Sequence, residues 1–86
     1  MYRCDSFATA LDELADIYVN ADTAERDRIA GGVEAFNSGL AGDPLALGES
    51  REYDIRIAFP PLLCVHFRVN VSDRRVRVTR VTRYGK

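Results

Sequence analysis

The chain is poor in the side chains that build metal sites and disulfide frameworks. Its 86 residues hold two cysteines and one histidine. Two cysteines make no disulfide framework, and Cys4, Cys64 and His66 alone do not complete a structural zinc site. Free, mostly buried thiols and no metal are therefore expected. Lysine is nearly absent, since Lys86 is the only one. Long apolar runs are missing too. The longest, Ile57 to Val65, is short and contains Pro60 and Pro61, whereas a membrane helix needs about 20 apolar residues. The first residues lack the basic, apolar and small-residue order of a signal peptide. There is no internal repeat and no low-complexity segment. These absences predict one domain over residues 1–86, in the cytoplasm, with no cofactor and no membrane partner.

Apolar residues make up 47 % of the chain and charged residues 29 %, which suits a globular domain. The net charge of −1 hides a division. Residues 1–50 carry three Arg against ten Asp and Glu, a net of −7. Residues 51–86 carry eight Arg and one Lys against three Asp and Glu, a net of +6. A basic half of this kind suggests a surface that meets a polyanion.

The hydrophobic pattern changes at the same place. Tyr2 to Cys4 reads as a short strand, and Asp5 or Ser6 offers an N-cap. Phe7, Leu11, Leu14 and Tyr18 form one face of a helix that should end near Asn20. Asp22 and Glu25 have capping-box spacing. Ile29, Val33, Phe36 and Leu40 then form the stripe of a second helix, antiparallel to the first. Gly31-Gly32 inside it predicts close approach to another backbone. Gly39, Gly42 and Asp43-Pro44 end it. Residues 41–50 read as a loop.

From Tyr53 the period is two. Tyr53, Ile55, Ile57 and Phe59 share one parity, and Glu52, Asp54 and Arg56 the other. Pro60-Pro61 marks a turn. Leu63, Val65, Phe67, Val69 and Val71 alternate with Leu62, Cys64, His66, Arg68 and Asn70. Ser72-Asp73 makes a hairpin turn. Val76 and Val78 then point inward, but Val81 has the opposite parity, so a β-bulge near Thr79-Arg80 is expected. The fold class is α+β. A short N-terminal strand is followed by an antiparallel two-helix hairpin that should pack on one face of a three- to four-stranded, mainly antiparallel sheet. The other face should carry Arg56, His66, Arg68, Arg75 and Arg77.

Read with this order, several segments resemble the RelE/ParE family of type II toxin–antitoxin toxins. They are FATALDELADIY in the first helix, LAGDPLALGES in the loop, and YDIRIAFPPLLCVHFRV and RRVRVTRVTRY in the strands. The resemblance implies a toxin with a cognate antitoxin protein whose acidic or amphipathic tail masks a basic groove. It also implies one of two targets. RelE-like members cleave messenger RNA on the ribosome and block translation. ParE-like members bind DNA gyrase without catalysis. A degenerate, non-toxic interaction module is a third outcome.

RNA cleavage by the 2′-hydroxyl needs a base, an acid and cations for the phosphorane charge, with no metal. By resemblance, Arg56 and the pair Arg83-Tyr84 match basic and aromatic positions of the family. Cys64 stands near the family's second-strand Arg, and Phe67 replaces its Tyr. A His-Tyr ending is replaced by Gly85-Lys86, and the loop lysines are absent. The RNase pattern is thus incomplete. The candidate catalytic residues are Arg56, His66, Arg83 and Tyr84. The candidate ligands of RNA or antitoxin are Arg51, Arg68, Arg75, Arg77 and Arg80. Each has a structural alternative: His66 as a plain strand residue, Tyr84 packed on the sheet, Arg56 and Arg83 in cross-strand ion pairs, and the other Arg as a solvated face. The first expectation is a RelE-like endoribonuclease.

Overall fold

The computed structural model describes residues 1–52 and 54–85. The elements are β1 (Arg3–Ser6), α1 (Ala8–Val19), α2 (Thr23–Gly42), a 3-10 turn (Pro44–Ala46), β2 (Glu49–Glu52), β3 (Ile55–Ala58), β4 (Leu63–Asn70) and β5 (Arg75–Arg83). They form one five-stranded sheet in the order β1-β5-β4-β3-β2. β1 runs parallel to β5, and every other pairing is antiparallel. The expected α+β arrangement is present, with a broader, mixed sheet.

The added strand is β2. Its sequence Glu-Ser-Arg-Glu is exposed throughout, so it carries no alternation to betray it. Charge on an edge strand discourages pairing with other chains. The two-residue period continues through β3, but its parity is reversed from expectation. Arg56 lies opposite Phe67 and Ala58 opposite Val65, whereas Ile55 and Ile57 lie opposite Arg68 and His66. β3 is too short to set its own register. β4 sets it, because Val65, Phe67 and Val69 are all buried on the helix side. Tyr53 lies outside the described residues. Val71, assigned inward, is exposed beyond the end of β4. Leu62 sits in the turn at φ 66 and is buried.

The second helix follows its sequence closely. The Asp22 carboxylate accepts the Glu25 N–H at 2.8 Å, and Glu25 accepts the Asp22 N–H at 3.0 Å. Ile29 and Leu40 are fully buried, and Phe36 meets Phe67 edge to face at 5.6 Å. Gly32 is where the helix approaches the Pro60-Pro61 turn, since a Cβ there would lie 2.6 Å from Pro61 Cδ. Gly31 faces open space.

The first helix differs. Its N-cap is Phe7, with no side-chain cap from Asp5 or Ser6. Its buried residue is Ala10, while Phe7, Leu11 and Tyr18 are 43 %, 55 % and 41 % exposed. Leu14 and Ile17 are partly buried against the core. The stripe is thus only partly covered. The cause lies on β5, which continues past the end of β1. There the Val81 N–H donates to Glu13 at 2.9 Å, so α1 turns Glu13 toward the strand edge. Arg26 closes the helical hairpin by donating to the Tyr18 and Val19 carbonyls at 2.9 Å each.

The two mid-helix glycines should respond oppositely to alanine. Gly31→Ala should raise stability by about 0.5–1 kcal/mol, the usual gain over glycine in a helix. Gly32→Ala should lower it, because the proline ring cannot yield. Urea midpoints of the two variants check this, and a stabilised Gly32→Ala would contradict the close packing.

Candidate functional site

The face of the sheet away from the helices is where cationic side chains gather. β5 turns its valines to the core until Val78, and the register with β4 then skips one residue. Phe67 lies opposite Val78 and His66 opposite Arg80. The expected bulge is therefore at Thr79, whose hydroxyl donates to the His66 carbonyl at 3.3 Å. It returns Val81 to the core and leaves Arg80 opposite His66. The outer face reads Arg3 and Asp5 on β1, Arg75 and Arg77 on β5, and Asn70, Arg68 and His66 on β4.

Much of this positive charge is already paired. Arg77 grips Asp5 at 2.9 Å and lies 5.5 Å over the Phe7 ring. Arg68 pairs with Asp54 at 3.1 Å. These guanidinium hydrogen bonds are the main reason that both Asp5 and Asp54 titrate below the usual carboxylate range. A shallow depression of about 250 Å³ between the pairs is lined by Asn70, Asp73 and Arg75 as well. Arg75 makes no ion pair among the described residues. Arg51 pairs with Glu49 on its own edge strand at 3.4 Å, and Arg80 reaches Glu13 at 3.3 Å.

The four candidate catalytic residues do not converge. Arg56 is on the helix side, not on the polar face with His66. It donates to the carbonyls of Leu47 and Leu45 at 3.0 Å each and of Gly48 at 3.2 Å. It therefore ties the 45–48 segment to the sheet. Gly48 suits that segment, since it has φ 64 and a Cβ there would strike the Ile57 carbonyl oxygen. Arg83 lies opposite Leu63 and pairs with Glu25 at 2.6 Å. The Glu25 carboxylate thus holds both the start of α2 and the end of β5. The Asp22 N–H, and after it Arg83, hold its titration below the usual range.

Tyr84 follows the sheet, donates its N–H to the Leu62 carbonyl at 3.0 Å and leans on Phe59 at 4.7 Å between ring centres. His66 is half-buried, and its Nδ1 is buried with no hydrogen-bond partner in the structure. Phe67 and Leu63, the partners of Arg56 and Arg83, are four residues apart on β4. Strand geometry then separates Arg56 and Arg83 by roughly 16 Å between Cα atoms. His66 is on the other face.

Sequence reading missed Asp5, Glu13 and Glu25 as partners of the basic strands. They are distant in the chain, and only the capping-box spacing drew attention to Glu25. Phe59, which shares its parity with Ile55 and Ile57, stands exposed beside Tyr84. Cys64 is buried, as expected of a thiol, but Cys4 is exposed. Partial desolvation of the sulfur on this otherwise exposed residue, and after it the neighbouring Asp5 charge, pushes the Cys4 thiol's titration upward. Among the described residues no cluster of His, Cys, Asp or Glu is arranged to hold a metal ion, and no helix is long and apolar enough to cross a membrane.

No protein-family model and no curated protein matches the sequence. Solved structures do match. The RelBE2 toxin–antitoxin complex of Mycobacterium tuberculosis contains a chain 19 % identical to this one. The match has a TM-score of 0.74 and covers 96 % of this chain and 98 % of that one. The chromosomal ParDE system of P. aeruginosa matches at 16 % identity and TM-score 0.72, covering 99 % and 98 % of the two chains. The isolated E. coli RelE toxin matches at 15 % identity and TM-score 0.65, covering 100 % of this chain and 87 % of that one. The chain has the α+β fold shared by RelE and ParE toxins.

Two measurements probe these assignments. Arg56→Ala should destabilise by about 1–3 kcal/mol, because it strips donors from carbonyls of the anchored segment. Arg75→Ala should stay within about 0.5 kcal/mol, as for an unpaired surface residue. Equal urea midpoints for the two variants would contradict a structural Arg56. The second measurement varies pH. Asp5 and Asp54 titrate lower when folded, so in acid the unfolded chain binds protons first. Their stabilisation is complete above the unfolded value near ~4 and is lost as pH falls through the folded value. From about pH 5 downward, the double variant Asp5→Asn, Asp54→Asn should therefore lose less stability than the parent chain. An unchanged slope would remove these pairs from the acid response.

Proposed function

We propose that this protein is the toxin component of a type II toxin–antitoxin system, restrained by a cognate antitoxin, and that it acts by binding its target without cutting RNA. The whole-chain likeness to RelE and ParE structures supports the toxin role. The mode of action rests on one observation, the separation of the candidate catalytic residues by the sheet. In-line attack by a 2′-hydroxyl requires base, acid and cations on a single phosphate. Arg56 and Arg83 lie on the helix side, apart from each other and engaged with other groups, while His66 faces outward. A binding toxin needs no such convergence. Its outer face, bearing Arg68, Arg75 and Arg77, would meet an acidic surface of a protein such as DNA gyrase, in the cytoplasm.

A second reading has its own support. His66 stands opposite Arg80 and two residues from Arg68 on the same strand face. An imidazole between guanidinium groups is a fair acid or base beside a bound phosphate. This arrangement would suit a RelE-like, metal-independent endoribonuclease acting on messenger RNA at the ribosome.

Induced expression without an antitoxin should arrest growth. The purified protein should stop supercoiling by gyrase while ribosome-bound messenger RNA stays intact. The double charge reversal Arg68→Glu, Arg75→Glu should relieve both effects without unfolding the chain. Cleaved messenger RNA with normal supercoiling, lost in His66→Ala, would overturn the binding mode in favour of the nuclease. Harmless expression of folded protein would leave a non-toxic relative.

A further inference from the structure

Arg3, Arg75 and Asn70 stand side by side across β1, β5 and β4, and Asp5, Arg77 and Arg68 form the next row. Neighbouring strands lie about 4.8 Å apart, so Arg3 and Arg75 are like charges placed opposite each other. Such a pair weakens a sheet unless an anion answers it. The nearby carboxylates are turned elsewhere. Asp5 is the partner of Arg77 at 2.9 Å, and Asp54 is the partner of Arg68. Asp73 accepts the Asn70 side-chain N–H at 3.2 Å and donates its backbone N–H to the Asn70 side-chain oxygen at 3.0 Å. Among the described residues neither Arg3 nor Arg75 has an ion pair.

Asp5 is therefore one carboxylate among three guanidiniums. The Arg77 hydrogen bond is the first cause of its low titration, and the charges of Arg75 and Arg3 add to the effect. Two positive charges stay uncompensated at this corner. Arg75 and Arg77 line the depression of about 250 Å³, with Asn70 at its wall and Arg3 in register beside Arg75. The corner lies at the start of β5, whereas Arg83 ends that strand.

We propose that this corner of the sheet binds a compact dianion, the phosphate of a small phosphomonoester or inorganic phosphate itself. A monoester carries about two negative charges and three acceptor oxygens, which matches the charge left over. The forked guanidiniums of Arg3 and Arg75 reach those oxygens from adjacent strands. A nucleic-acid strand is a poorer ligand. Each of its phosphodiesters carries a single charge, and Asp5, Asp54 and Asp73 stud the face along which it would run. The site shares Arg75 with the face assigned above to an acidic protein, so the dianion competes with such a partner. The inference does not depend on the toxin reading, and its test contains no target.

Nuclear magnetic resonance of the Arg side-chain N–H groups in the full chain tests it. Methyl phosphate, inorganic phosphate and dimethyl phosphate are titrated separately at constant ionic strength and about pH 8, where a monoester is dianionic. The first two should shift the Arg3 and Arg75 signals and bind at least about fivefold tighter than the monoanionic diester. Which of the two binds tighter tells the ester from the free ion. Arg3→Gln and Arg75→Gln should each weaken binding by about tenfold, the loss expected for a charge-assisted hydrogen bond. Asp5→Asn should tighten it, because a competing negative charge is gone. Arg28→Gln, the same loss of charge at an exposed position on α2, should leave it unchanged. Equal binding of the diester, signals of Arg3 and Arg75 that do not move, or an Arg28→Gln effect as large as that of Arg75→Gln would overturn the proposal.

Discussion

The register of β4 against β5 governs what every other part of the molecule presents. β4 is paired along its length with β5 and over Val65 to Arg68 with β3. Val65, Phe67 and Val69 face the helices and are buried. A slip of one residue would send all three to water, which at about 1.5–3 kcal/mol for each large side chain is comparable to the whole stability of a domain this size. That constraint passes to the neighbours. It forces Arg56 to the helix side of β3, and it requires an extra residue at Thr79 so that Val81 can rejoin the core. The position of each Arg follows from the packing of apolar residues beside it.

The charge division of the sequence is largely consumed within the molecule. Asp5–Arg77, Glu13–Arg80 and Glu25–Arg83 each join the acidic half to the basic half. All three are solvent-exposed pairs, so their gift to stability is small. Their larger effect is on function. They spend guanidinium donors that a phosphate would otherwise use, and Asp5–Arg77 with Asp54–Arg68 makes the outer face a mosaic of pairs in which Arg3 and Arg75 have no ion pair among the described residues. A partner of that face must either match the mosaic or displace a carboxylate from it. This favours a folded acidic surface, with fixed carboxylates, over an indiscriminate polyanion.

Strong periodic signals were legible in the sequence, and short or charged ones were not. The stripe of α2, its capping box, the alternation of β4 and the bulge in β5 all follow from long runs with a clear period. β2 was invisible because Glu-Ser-Arg-Glu has no period. The facing of β3 was misread because Ile55 and Ile57 outweigh Ala58 in bulk, although the neighbouring strand sets the register. The outer row of His66, Arg68, Arg75 and Arg77 was foreseen. Arg56 was misplaced with it, by that same parity, and the anchoring of the 45–48 segment by Arg56 has no sequence signal at all.

The rotation of α1 shows two demands in competition. Turning the Phe7, Leu11 and Tyr18 stripe onto the sheet would bury more apolar surface, worth about 1.5–3 kcal/mol for each side chain fully covered. It would also carry Glu13 away from the Val81 N–H, at the point where β5 has lost β1 as its partner. An unsatisfied buried N–H costs about 1–3 kcal/mol, and Ala10 and Ile17 would surrender some of their own burial. The terms are of similar size, so the observed rotation satisfies the backbone and leaves the stripe uncovered. The apolar surface left over lies along α1, with Arg77 over Phe7 at one end and Arg26 over Tyr18 at the other.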